Sequence, residues 1–315
     1  MTSNRRHFLK TSSLAVAGLA LTRAGAALAP RLARASALRP AAGATRLALQ
    51  LYTVRDDMKA DPLGTLKQLA AMGYRNVEHA NYVERKFYGY DAPSFKKILG
   101  DLGLAMPSGH TVLTAAHWDP ARQDFTDEWK QTVEDARTVG QQYVISPWLD
   151  ESLRGDYDRL RRWMAVFNRS GELCRAQGLQ FGYHNHDFEF KDHLNGKSLY
   201  DIILSETDPT LVAQQLDIGN MVGGGGRPMD VLRRYPGRFA LMHVKDVIRA
   251  QGGGEMNDPY DSTILGQGIL GTRDIVAAAV AAGTTQLTIE QESYQGRKPL
   301  DDAHKDLDVM HDWGY

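Results

Sequence analysis

The chain has 315 residues, 43% hydrophobic and 24% charged, with a formal net charge of −1, a balance that excludes a disordered, collagenous or coiled-coil protein. The length suits one large α/β domain or two smaller ones. No acidic residue precedes Asp56, whereas Arg5, Arg6, Lys10, Arg23, Arg31 and Arg34 all lie before Ser36. Without those six cations the formal charge moves from −1 to about −7, which leaves no basic footprint for nucleic acid or for an anionic membrane surface.

In chain order, the cationic stretch Asn4 to Lys10 is followed by a mildly apolar run from Thr11 to Leu21 and then by alanine-rich sequence. This is the charged, apolar and cleavage pattern of an export signal, and the pair Arg5-Arg6 resembles the twin-arginine kind. Small-residue sites at Ala33-Arg34-Ala35 and Ala35-Ser36-Ala37 predict a signal over residues 1–37, a domain over 38–315, and a periplasmic or extracellular destination. A transmembrane helix is the rival reading, but the run falls short of about 18 residues and Arg23 interrupts it. Cys174 is the only cysteine, so the fold uses no internal disulfide and no thiolate metal cluster. Its helical setting points to packing.

From residue 46 onward one phrase recurs: amphipathic helix, glycine, apolar strand, polar residues. Gly73 leads to Val77-Glu78-His79, Gly103 to Ser108-Gly109-His110, and Gly140 to Val144-Ile145-Ser146-Pro147. Gly178 precedes Phe181-Gly182-Tyr183-His184, Gly237 precedes Ala240-Leu241-Met242-His243, and Gly283 precedes Leu287-Thr288-Ile289-Glu290. Leu47 to Tyr52 and Val212 to Asp217 bring the strands to eight, the number that closes a single (β/α)8 TIM barrel. An open doubly wound sheet would concentrate its chemistry at one or two loops near a switch point. Here ligand-type residues follow nearly every strand, as in a barrel whose site is built from many strand ends.

His184 and His186 stand at i, i+2 with Glu189 three residues further on, a pattern for a metal or proton-transfer site. Asp217, His243 with Lys245, and Glu290 end the next three strands. Singly, Asp217 reads as a helix cap, His243 as a core histidine and Glu290 as half of a salt bridge. Together they make a sulfur-free set suited to one divalent ion, Mn²⁺ first, with Co²⁺, Mg²⁺ or Zn²⁺ as alternatives. Glu78 and His110 are weaker candidates, either for a substrate hydroxyl or as inter-strand partners. Trp148 reads equally as a sugar-facing wall and as core. Gly223 to Gly226 lack phosphate-loop spacing and read as a flexible loop, and Gln251 to Gly271 as a mobile loop, either a lid or a partner surface.

These residues, in this order, resemble the sugar phosphate isomerase/epimerase superfamily of xylose-isomerase-like barrels over residues 46–315. The motifs that carry the likeness are Gln50-Leu51-Tyr52-Thr53-Val54-Arg55, Tyr183-His184-Asn185-His186 and Leu216-Asp217-Ile218-Gly219-Asn220. His243-Val244-Lys245-Asp246, Leu265-Gly266-Gln267-Gly268 and Ile289-Glu290 complete it. The resemblance implies one divalent ion held by His184, Asp217, His243 and Glu290, with His184 standing where epimerases of the family carry a glutamate. That departure removes one of the two opposed bases an epimerase needs, whereas a β-elimination or hydration needs one base, one acid and a stabilised enolate.

The expected function is therefore proton abstraction next to the carbonyl of an unphosphorylated keto-sugar, with elimination or hydration of 3-keto-glycosides foremost. His186 is the expected base, Glu189 its orienter or an alternative ligand, and Lys245 the polariser or acid, with Glu290 acting in catalysis as well as on the metal. A true ketose isomerase or epimerase, or an exported sugar-binding protein without catalysis, are the alternatives. The expected partner is a small carbohydrate, with no nucleic acid and no membrane after signal removal; a homo-oligomer stands beside a monomer.

Overall fold

The computed structural model describes residues 45–250 and 259–315. The segment read as an export signal, residues 1–37, lies outside the described residues. Among them, eight parallel strands form a closed barrel: β1 (Arg46–Gln50), β2 (Asn76–His79), β3 (Ala105–His110), β4 (Tyr143–Ser146), β5 (Gln180–His184), β6 (Val212–Asp217), β7 (Phe239–Val244) and β8 (Gln286–Ile289). Each strand pairs with its sequence neighbours, and β8 returns to β1 through Leu49 opposite Ile289. The outer helices are α1 (Pro62–Met72), α2 (Ala92–Asp101), α3 (Asp127–Val139), α4 (Tyr157–Ala176), α5 (Leu199–Glu206), α6 (Pro228–Arg234), α7 (Thr272–Ala281) and α8 (Pro299–Asp312). One outer helix follows each strand, as expected from the repeated phrase, with short helices ahead of it at Arg55–Ala60, Phe188–Lys191 and Ile218–Gly223.

The helix boundaries have local causes. α1 opens with a proline that needs no backbone N–H partner, and Asp61 Oδ1 accepts from Gly64 N at 2.9 Å. It closes on Gly73 at φ 118° and α3 closes on Gly140 at φ 103°, left-handed conformations that a side chain would disfavour. Between barrel and helices, one apolar cluster gathers Leu49, Val77, Leu216, Val244 and Leu287, and a second gathers Val144, Phe181, Val212 and Phe167. Cys174 is buried in the second, and burial pushes its thiol up to about 12, so it packs and does not react.

Inside the barrel the filling is uneven. Ile145, Ala213 and Leu241 form a small apolar plug, and Gly182 lies so close that a Cβ there would stand 2.5 Å from Ile145 Cδ1. Elsewhere the interior is polar. Gln215 on β6 bonds Glu78 on β2, and Gln286 on β8 bonds Ser108 on β3, contacts between non-neighbouring strands that run only through the barrel.

Two loop expectations are corrected. Gly223 ends a short helix, Ile218–Gly223, a Cβ on Gly224 would stand 2.2 Å from the Asp187 carbonyl and one on Gly226 2.5 Å from Met221 Cγ, so Gly224 and Gly226 serve close packing, while Gly225 at φ 83° serves the turn. Of the stretch Gln251 to Gly271, residues 251–258 lie outside the described residues. Tyr260–Thr263 pairs antiparallel with Asp246–Arg249, and the Asp246 carboxylate accepts from the Gly266 and Gly268 amides at 3.0 and 3.2 Å, so that part is tied down. No helix among the described residues is long and apolar enough to cross a membrane.

Candidate metal centre and cavity

Strand register brings the candidate residues to one level at the C-terminal end of the barrel. His184 lies opposite Gln215, and Asp217 opposite His243. Glu290 follows directly on β8, whose Ile289 pairs with Val244. In consequence Asp217, His243 and Glu290 each offer a ligand atom within 4.8 Å of the others, and His184 Nε2 lies 3.7 Å from Asp217 Oδ2. Asp217 divides its carboxylate: Oδ1 caps the helix Ile218–Gly223 by accepting from Asn220 N at 2.7 Å, and Oδ2 is buried against the Lys245 ammonium at 3.0 Å. The cap reading and the ligand reading thus use different oxygens of one side chain.

Lys245 is fully buried, and its Nζ lies 3.0 Å from Asp217 Oδ2 and 2.9 Å from Glu290 Oε2, with Glu292 as a third partner. Burial alone would lower its pKa, but Asp217, Glu290 and Glu292 hold the ammonium well above its ordinary value. His243 is bracketed by Glu290 Oε2 at 2.7 Å on Nδ1 and Glu78 Oε1 at 2.5 Å on Nε2; against burial, those carboxylates raise it to about 10. Against its own burial, Glu290 is driven low by Lys245 and His243. The site is an anionic cluster that demands cations, and its two carboxylates and two imidazoles without sulfur suit a divalent ion such as Mn²⁺ or Zn²⁺.

His186 lies just past the end of β5, and its ring stands 5.2 Å from that of His184. Burial lowers it to about 4, with Nδ1 unpartnered, so at neutral pH it is a free imidazole. A cavity of about 370 Å³ opens over these residues, with His184, His186, Lys245 and Glu290 in its lining and Trp148 and Tyr52 in its walls. Trp148 keeps 40% of its surface exposed, meets the edge of His186 at 5.1 Å and carries Arg154 on its face at 4.6 Å, so it is wall and not core.

Glu189 is placed differently from the rest. Its Oε1 accepts from Tyr183 OH and its Oε2 from the His186 backbone N–H at 2.9 Å, so it holds the loop that carries His186 and contacts neither the ring nor Asp217 and Glu290. Burial raises its carboxyl to about 8. Glu78 is wholly buried as an inter-strand partner and does not face the cavity, whereas His110 lines it and bonds Gln215 Oε1 at 2.7 Å. Gln215, Asn185 and Glu292 escaped the sequence reading. Gln215 precedes Asp217 by two on the same strand, so period-two alternation marked it as inward. Asn185 locks β5 to β6 by exchanging two 3.0 Å bonds with the Asp217 backbone.

Known proteins agree with this architecture. An inosose dehydratase of Geobacillus kaustophilus strain HTA426 is 23% identical over 198 residues, 58% of this chain and 61% of that one. The chain spans about 60% of the length of the curated relatives it first matches. A sugar phosphate isomerase/epimerase structure from Parabacteroides distasonis ATCC 8503 superposes with a TM-score of 0.71 at 25% identity, covering 85% of this chain and 98% of that one. The IOLI protein, solved with a zinc atom, superposes with a TM-score of 0.64 at 12% identity over 85% of this chain and 97% of its own. A family model for the xylose isomerase-like TIM barrel matches residues 66–313, and the chain belongs to that family.

Proposed function

We propose that the protein is a divalent-metal-dependent enzyme that removes the proton next to the carbonyl of an unphosphorylated keto-sugar, with β-elimination or hydration of a 3-keto-glycoside as its reaction. The observation that carries this reading is the convergence of Asp217, Glu290 and His243, with His184 beside Asp217, under a cavity that also holds the neutral imidazole of His186. His184, Asp217, His243 and Glu290 would hold the ion, Mn²⁺ first. Bound there, it supplies Lewis-acid stabilisation of the enolate oxygen. The inosose dehydratase relatives support an elimination, and the zinc atom in the IOLI structure supports a divalent ion on this fold.

His186 accepts the carbon-bound proton, because burial keeps its imidazole uncharged and its side chain lines the cavity. Lys245, held as an ammonium by three carboxylates, is the polariser, its fixed positive charge stabilising oxygen that gains charge, and the proton taken up by His186 goes to the departing oxygen. Glu189 fixes the His186 loop from beneath. A ketose epimerase would need a second base on the opposite face of the enediolate, and both Glu189 oxygens already accept from Tyr183 and from the His186 backbone, which favours elimination. Lys245 is the one Lys or Arg among the described residues lining this cavity, and its charge is committed to three acids, which favours substrates without phosphate. Export by the twin-arginine route, inferred from residues 1–37, belongs to the same proposal.

The test combines elemental analysis of the purified protein with assays on 3-keto-glucosides and on free ketoses, before and after chelation. About one divalent ion per chain and chelator-sensitive aglycone release are expected. Ketose interconversion alone, with label entering carbon from deuterated water, would shift the assignment to an isomerase or epimerase. Tight sugar binding with neither metal nor turnover would leave a binding protein.

A further inference from the structure

We propose that Glu78 is a positioning residue that sets the tautomers of both histidines in the donor set, so that His243 offers Nδ1 and His184 offers Nε2 to the same point beside Asp217. This rests on reading those two histidines as metal ligands.

A buried, ionised carboxylate can only accept hydrogen bonds. Glu78 Oε1 takes one from Gln50 Nε2 at 2.9 Å and one from His243 Nε2 at 2.5 Å, and Oε2 takes them from Ser108 Oγ and from Gln215 Nε2 at 2.8 Å. His243 therefore keeps its proton on Nε2. The nitrogen left to turn a lone pair on a cation is Nδ1, which lies 2.7 Å from Glu290 Oε2 and 3.8 Å from Asp217 Oδ2.

The second step runs through Gln215. Its amide nitrogen must face Glu78, because the flipped amide would set two acceptors against each other. Its oxygen then faces His110 Nε2 at 2.7 Å and His184 Nδ1 at 3.0 Å, and both must donate to it. His184 is thereby protonated on Nδ1, and its Nε2 lone pair faces Asp217 Oδ2 at 3.7 Å. Opposite nitrogens of two histidines are thus presented by one anion, directly in one case and through a glutamine in the other. Glu78 has no exposed surface and both its oxygens are engaged, so it acts through the histidines and not on substrate.

Nitrogen-resolved NMR of the zinc-loaded protein, with zinc titrations by calorimetry of wild type, Glu78→Gln and Gln215→Leu, tests the proposal. The expected spectra show His243 protonated on Nε2 and His184 on Nδ1. Glu78→Gln is expected to weaken zinc binding about 10- to 100-fold. Gln215→Leu is expected to release the His184 tautomer alone and to weaken binding less. His184 protonated on Nε2 in the wild type overturns the proposal, as does a folded Glu78→Gln protein that binds zinc as tightly as wild type. If Glu78→Gln does not fold, the wild-type spectra and Gln215→Leu decide. A wild type that takes up no zinc overturns the metal reading, and this proposal with it, which is a different result from a variant that binds normally.

Discussion

Over β5 to β8 charge gathers beside the cavity: three carboxylates, Asp217 among them, crowd one ammonium, and His186 stands next to them as an uncharged imidazole. Around Glu78 the bonding is closed, because Glu78, Ser108 and Gln50 bond to one another and to Gln215 with no surface exposed. Asp217, His243 and Lys245 are as fully buried as Glu78 and Ser108, so burial alone does not separate a reactive site from a structural one. Access to the cavity does: His184, Lys245 and Glu290 line it and Glu78 does not, so the crowded charge of the first group is where a ligand or a reaction can act.

The largest effect should come from removing the cation of the open half. Lys245→Met would leave Asp217 and Glu290 as buried, unbalanced carboxylates, a loss of about 3–5 kcal/mol in the presence of chelator. Excess Mn²⁺ should restore most of that loss, because a divalent ion replaces the missing charge. Denaturant unfolding with and without the metal measures it, and a Lys245→Met protein as stable as wild type would mean that the cluster does not demand cations.

A paired substitution sharpens the contrast. Glu290→Gln should lower kcat/KM by at least about 100-fold, since it alters a group facing the reaction. Ser108→Ala removes a donor to Glu78 in the closed half and should cost about 1–3 kcal/mol of stability with a much smaller change in turnover. Equal effects of the two variants on activity would erase the division.

Much of this was legible because periodicity and end-of-strand position are local properties. The eight strands, the junction glycines Gly73 and Gly140, and the residues Asp217, His243 and Glu290 each stand at a recognisable point in the repeated phrase. What was not legible depends on distance across the barrel. Glu78 reads as one acid at one strand end, and only closure of the barrel brings Gln215, 137 positions away, against it. The glycines at 223–226 misled for a related reason: composition alone does not distinguish a chain free to move from one packed too tightly for a Cβ.

The smaller pH effect concerns the underside of the open half. Burial holds Glu189 protonated up to about pH 8, whereas an unfolded glutamate ionises near 4.3. Between those values the folded state binds more protons than the unfolded one, so this group's contribution to stability falls as pH rises, by up to about 1.4 kcal/mol per pH unit. Glu189→Gln should remove that slope. Denaturation of both proteins between pH 5 and pH 8 checks it, and parallel curves would place Glu189 among the ionised groups.

The mildest change should come at the wall. Trp148 presents 40% of its surface and meets both His186 and Phe188 edge-on, at 5.1 and 5.3 Å. If that face packs on a sugar ring, Trp148→Ala removes about 0.5–1.5 kcal/mol of contact beyond area, so KM should rise several-fold, up to about tenfold. The change in kcat should be smaller, because binding lost equally from substrate and transition state leaves the chemical step alone. The edge contact with His186 gives the experiment its second reading. A fall in kcat with unchanged KM would mean that the tryptophan positions the base, which would extend the division between open and closed halves to the aromatic wall itself.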